Sequence, residues 1–155
     1  MAQLYSNENV ALVQNVVGHF LAGDADGYLS GVHPNVKGSV LGGLIPGADT
    51  ITNKAQLAKL LKEDIPKYMD IRKFEPANWV GVGDQVFFTV DWEFVWKPTG
   101  KVVTTRATVR KVVCDGLICE KYHMPVGILR RNTFFRSERA ALPLTVAAAP
   151  ESHSC

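Results

Sequence analysis

A chain of 155 residues suggests one domain with one core. Its 46% apolar and 21% charged content is ordinary for a soluble globular protein, and a formal net charge of +2 is too small to argue for nucleic acid or an anionic membrane surface as partner. No apolar run approaches the roughly 20 residues needed to span a bilayer, and the opening MAQLYSNENVAL lacks the basic-then-apolar order of a secretory signal.

Ser6 can cap a helix that begins near Asn7, and Val10, Val13, Val16, Val17, Phe20 and Leu21 then recur at helical spacing. Gly23 ends this helix, and Asp24 opens a short second one with Tyr28 and Leu29 inward. His33-Pro34 stops it, because the residue before proline is pushed toward extended geometry. Residues 36–53 hold five turn-forming Gly and Pro positions and read as loop, with a short strand near 37–41. Asn53 and Gln56 have capping-box spacing, and Leu57, Leu60, Leu61 and Ile65 form the inward stripe of a third helix over 53–69, kinked or ended by Pro66. Residues 71–80 read as a strand weakened by Pro76, hence an edge strand.

The remainder is a meander of three long strands, near 85–97, 101–114 and 117–127. Phe88, Val90, Trp92 and Phe94 alternate with Thr89, Asp91 and Glu93, which gives one apolar and one polar face. A four-residue turn at Lys97–Gly100 pairs Val95 with Val102, and so Asp91 with Arg106, Thr89 with Thr108 and Phe88 with Val109. A two-residue turn at Asp115-Gly116 then sets Thr108 opposite His123 and Val109 opposite Tyr122. On this register His123 joins Asp91, Arg106 and Thr108 on the polar face. After Val126 the regular pattern stops, and the Ala- and Pro-rich end is expected to be mobile.

Cys114, Cys119 and Cys155 are odd in number, and Cys119 falls inside a strand pattern. This argues against a disulfide framework and for a reduced, cytoplasmic location. Four scattered histidines and three cysteines show no metal-ligand spacing, and no phosphate-cradling glycine motif is present, so no metal or cofactor is expected.

The order of elements, with AGDADGYLS and His33-Pro34, the helix KAQLAKLLKEDIPKYMDI after Gly47, VGVGDQVFFTVDWEF, and DGLICEKYH, resembles the SnoaL-like branch of the nuclear transport factor 2-like superfamily. The resemblance covers about residues 7–126. It implies an α+β cone: three N-terminal helices packed on a strongly curved, mainly antiparallel mixed sheet, in one domain over 1–128 with a C-terminal extension over 129–155. It also implies a pocket between helices and concave sheet face, a homodimer formed through the sheet, and a small hydrophobic or aromatic ligand. Members include ketosteroid isomerases, polyketide cyclases, dehydratases, epoxide hydrolases and non-catalytic binding modules, so the fold leaves the reaction open. SnoaL-like cyclases keep an acidic base on the last strand. The corresponding stretch here reads Tyr122-His123-Met124, with no Asp.

Three residues are candidates for chemistry. His123 can act as a general base near neutrality, or serve as a hydrogen-bonded histidine on the dimer face. Asp91 and Arg106 can form an acid–base pair in the pocket if the polar face is the concave one, or a plain cross-strand ion pair if it is not. Phe88, Trp92, Phe94 and Tyr122 can wall an apolar pocket for a ring-shaped ligand or simply form core. Tyr28, Tyr68 and Asp64 can supply polar groups at its mouth, unless Asp64 sits on the solvent side of its helix, and His33 can help position a ligand or be a plain loop-surface histidine. Two readings compete: a cofactor-independent isomerase, cyclase or dehydratase acting by proton transfer, and a non-catalytic ligand-binding or protein-interaction module.

Overall fold

The computed structural model describes residues 7–40 and 45–125. The expected extension over 129–155, the Ser6 cap and the end of the expected last strand lie outside the described residues. Two helices come first, then one strand, a third helical stretch and the four remaining strands of a five-stranded sheet, and each of the first three α-helices starts where a side chain satisfies a free backbone N–H group. Asn7 caps α1 (Glu8–Leu21), accepting from the Val10 N–H at 3.1 Å, and Asp24 caps α2 (Ala25–Ser30), accepting from the Gly27 N–H at 2.8 Å. Asn53 caps α3 (Lys54–Lys59) through the Gln56 N–H at 2.9 Å. The chain then continues through a widened π-helical turn (Leu60–Asp64) into α4 (Ile65–Tyr68). Pro66 brings no N–H and its ring crowds the preceding turn, which accounts for a widening there rather than a break.

The sheet contains β1 (Val32–Ser39), β2 (Met69–Val82), β3 (Gln85–Trp96), β4 (Lys101–Cys114) and β5 (Leu117–Pro125) in the order β1-β5-β4-β3-β2. Only the β1–β5 pair is parallel. Pro34 and Pro76 lie on β1 and β2, the two edges, where a missing donor costs least. Irregular pairing in β2 near Arg72 and Asn78 helps curve the sheet over the helices. The result is the α+β cone.

The core lies between α1, α2 and α3 and the concave face, with Val13, Leu57, Val90 and Phe94 fully buried. The β3–β4 register is the expected one: Val95 pairs with Val102, Asp91 with Arg106 and Phe88 with Val109.

Three expectations are corrected. β1 is longer and earlier than a strand near 37–41; it begins at Val32, directly after α2, because pairing with β5 overrides the turn character of His33-Pro34. Cys114 and Cys119 are joined in a disulfide, with Cα atoms 5.7 Å apart, so the cytoplasmic expectation loses its support from unpaired cysteines. The β4–β5 register departs by one residue. Val113 pairs with Ile118, but Val112 pairs with Glu120, so Cys119 is an extra, bulged residue. Beyond it Val109, not Thr108, faces His123, and Arg110 faces Tyr122. A one-residue slip exchanges the two faces. His123 therefore points into the cone, and Tyr122 points out.

Candidate functional site: a cavity on the concave face

Between α1, α2, the π-helical turn and the sheet lies a partly open cavity. Its walls are apolar, with Phe20, Leu60, Phe74, Phe88 and Trp92 among them, and its polar groups are Tyr28, Lys111, Lys121 and His123. The space available to water centres is about 30 Å³, and the total empty volume including the mouth is about 430 Å³. A water needs roughly 10–15 Å³ by the first measure, so the cavity as it stands holds about two or three waters. Phe20 and Phe74, edge to face at 4.9 Å, separate it from an outer groove of about 370 Å³ that both residues also line.

The four polar groups arrive from three elements. α2 is short and its inward face carries Tyr28. On β4, Ala107, Val109, Lys111 and Val113 alternate inward, so Lys111 sits in an otherwise apolar row. The bulge at Cys119 turns Lys121 and His123 inward on β5 and sets Lys121 directly opposite Lys111. The two lysines are 2% and 3% exposed, and both donate to the Tyr28 hydroxyl oxygen, at 2.6 Å from Lys111 Nζ and 3.0 Å from Lys121 Nζ. Gly38 makes the geometry possible. Its φ is +153°, and a Cβ there would overlap the carbonyl oxygen of Lys121 where β1 passes β5.

Electrostatics follow from burial. Burial pushes the Tyr28 phenol up, but the ammonium groups of Lys111 and Lys121 outweigh it and bring the pKa down to about 7. Burial lowers Lys111 to about 8; Tyr28 opposes that shift and Lys121 adds to it. His123 is held well below its ordinary value by burial first and then by Lys121 and Lys111, so its imidazole is neutral at neutral pH. The residue as a whole is half-buried, yet its Nδ1 is shielded from solvent and has no hydrogen-bond partner. Its ring meets Trp92 edge to face at 6.0 Å, and the Trp92 Nε1 is likewise buried without a partner.

Tyr28, Phe88 and Trp92 line one cavity, and the shifted β5 register adds His123 to it. Phe94 is core behind it. Asp91 and Arg106 lie on the opposite face, half-exposed, in a two-pronged ion pair at 2.6 and 3.0 Å. Arg106 holds the Asp91 carboxyl below its usual range. Tyr122 is also outside, with the Arg110 guanidinium 5.5 Å from its ring centre. Tyr68 stacks on Trp96 at 5.4 Å, and His33 accepts from the Asn35 N–H at 3.0 Å; neither lines the cavity. Asp64 pairs with Lys59 at 2.8 Å and lines a separate surface hollow near Pro46.

Lys111 and Lys121 were not among the expected site residues. The inward alternation Ala107, Val109, Lys111 carried a signal for the first. Lys121 carried none without the bulge. Among the described residues no group of His, Cys, Asp or Glu is arranged to hold a metal ion, and no helix is long and apolar enough to cross a membrane.

No family model matches this sequence, and no curated protein matches it. The fold does have solved relatives. An NTF2-like protein from Burkholderia xenovorans LB400 superposes with a TM-score of 0.73 at 20% identity, over 86% of this chain and 99% of that one. TerC, crystallised with polyporic acid, gives 0.65 at 20% identity over 77% and 92%. A protein from Mesorhizobium loti assigned as a SnoaL-like polyketide cyclase gives 0.61 at 17% identity over 73% and 95%. The chain therefore has the NTF2-like α+β cone fold, which SnoaL-like proteins share.

Proposed function

We propose that this protein binds a small, largely apolar ring-shaped molecule in the concave cavity and moves a proton on it without a cofactor, as an isomerase, cyclase or dehydratase does. The observation that carries the reading is His123. It is a neutral, half-buried imidazole with a solvent-shielded, unpartnered Nδ1 in an aromatic-walled cavity, beside hydrogen-bond donors on Lys111 and Lys121. In the reaction the Nδ1 lone pair takes a proton from carbon next to a ring carbonyl. Negative charge then develops on the carbonyl oxygen, and the Tyr28–lysine cluster stabilises it. Structural relatives include TerC, crystallised with polyporic acid, and proteins assigned as polyketide cyclases. The test is to select ring ketones that raise the melting temperature, then follow exchange of their α-protons in deuterium oxide. Faster exchange with wild type than with His123→Ala supports the reading.

The non-catalytic alternative, as a protein-interaction or dimerisation module, draws support from the small free volume, about 30 Å³ of water-centre space. Ring ligands that bind without any accelerated exchange would instead favour a ligand-binding module without chemistry. A homodimer through the outer sheet face is part of the proposal; that face carries Thr89, Thr104, Arg106 and Thr108, with Met124 45% exposed beside them.

A further inference from the structure

Lys111 and Lys121 stand opposite one another in the β4–β5 ladder, both buried, both turned to the cavity. Like charges placed directly opposite repel, and burial makes each ammonium costlier still. Ordinarily a carboxylate offsets this. Among the described residues none pairs with either lysine, and their shared polar partner is a single hydroxyl oxygen, that of Tyr28. Each ammonium has three N–H donors and gives one to Tyr28. The arrangement leaves an excess of donors and positive charge at one end of an apolar, aromatic-walled space.

From this we infer that the ligand is a ring-bearing acid, whose carboxylate or acidic enol oxygen seats between Lys111 and Lys121 beside Tyr28 while the ring lies against Trp92 and Phe88. The inference rests on the reading of the cavity as a ligand site and deepens it. An anion there supplies the missing counter-charge and accepts the spare donors. Basic ligands are repelled, and neutral rings bind more weakly, because a carbonyl accepts a donor but brings no counter-charge. The other elements packed around the cluster face it with apolar side chains: Val17 and Phe20 from α1, Leu60 and Ile65 from the 54–68 helical stretch, Phe74 from β2 and Trp92 from β3. The titratable groups at the site are thus Tyr28, Lys111, Lys121 and His123. As pH rises through about 7 and then 8, Tyr28 and Lys111 lose protons and the site becomes less positive.

The experiment compares benzoate with benzamide, nearly equal in shape and different in charge, by NMR titration read at the Trp92 indole. Wild type should bind benzoate about ten- to a hundredfold more tightly, the range expected when a hydrogen-bonded group is charged. Lys121→Met should abolish the preference while keeping benzamide binding. Should that variant fail to fold, wild type decides alone: benzoate affinity should fall as pH rises from about 7 to about 8, with benzamide unchanged. Equal affinities, or a benzoate preference flat across that range, would overturn the acid inference and leave the cavity reading standing. Binding of neither probe would overturn both.

Discussion

Tyr28 is the side chain on which the buried charge depends. Its hydroxyl is the oxygen that both buried lysines share, so Tyr28→Phe strips two ammonium groups of their partner at once. Removing one member of a buried charge pair costs roughly 3–5 kcal/mol. Urea unfolding near neutral pH should show a loss of that order; a loss below about 1 kcal/mol would mean that water already solvates the lysines. Trp92 poses a different question, being both core and cavity wall. It contacts Phe74 edge to face at 4.7 Å as well as His123, and it is 2% exposed. Trp92→Ala should cost roughly 3–5 kcal/mol, and a much smaller cost would indicate that the ring borders open space. Asp91 and Arg106 pair as their positions foretold, but they do so on the outer face, where the ion pair helps hold register rather than chemistry.

Among the elements, β5 decides what the site contains. The strand itself was legible from its alternation and from Asp115-Gly116, whose φ values of 53° and 78° match the expected hairpin turn. The bulge was not legible, because nothing in LICEKYH distinguishes an extra residue from a paired one. That single residue moved His123 from the expected polar face to the cavity, put Lys121 beside it, and moved Tyr122 out. The β3–β4 register, by contrast, was readable because both faces of both strands agree in character. The bulged Cys119 is tied back to Cys114 across the turn. Closing so short a loop restricts the unfolded chain modestly, and Cys119→Ser should lower stability by about 2 kcal/mol. If the disulfide also pins the bulge, the β5 amides from Glu120 to His123 should shift in an NMR spectrum of the variant. Unchanged amides there would show that β1 and β4 hold the register without it. Gly38 is the other constraint on this strand. Gly38→Ala forces β1 away from Lys121, and a stability equal to wild type would contradict the close approach.

For the molecule as a whole, buried charge makes stability depend on pH in an unusual direction. Tyr28 titrates near 7 in the folded chain against an ordinary 10.0, and Lys111 near 8 against 10.5. Between these limits the unfolded chain binds more protons than the folded one, so stability rises with pH. The tyrosine's contribution is complete above its unfolded value and lost as pH falls through about 7; the lysine's penalty is complete below about 8 and disappears above its unfolded value. Melting temperature should therefore climb from about 7 toward 9, and a steady fall over that range would rule out the cluster as drawn. The proposed dimer leaves the cavity facing away from the shared surface, so ring binding should not depend on protein concentration; light scattering beside the titration checks this. The most direct test of the central claim, that His123 moves a proton on a ring bound in the cavity, is α-proton exchange of a bound ring ketone such as β-tetralone in deuterium oxide. With wild type the rate should be flat on the acid side of neutrality, because the imidazole is already neutral there, and should fall as Tyr28 and Lys111 lose protons between about 7 and 8. His123→Ala should slow it roughly 10²–10⁴-fold with binding retained. Exchange undiminished in His123→Ala, or a wild-type rate that rises between about 7 and 8, would contradict the account and point to the Tyr28 phenolate as the base instead.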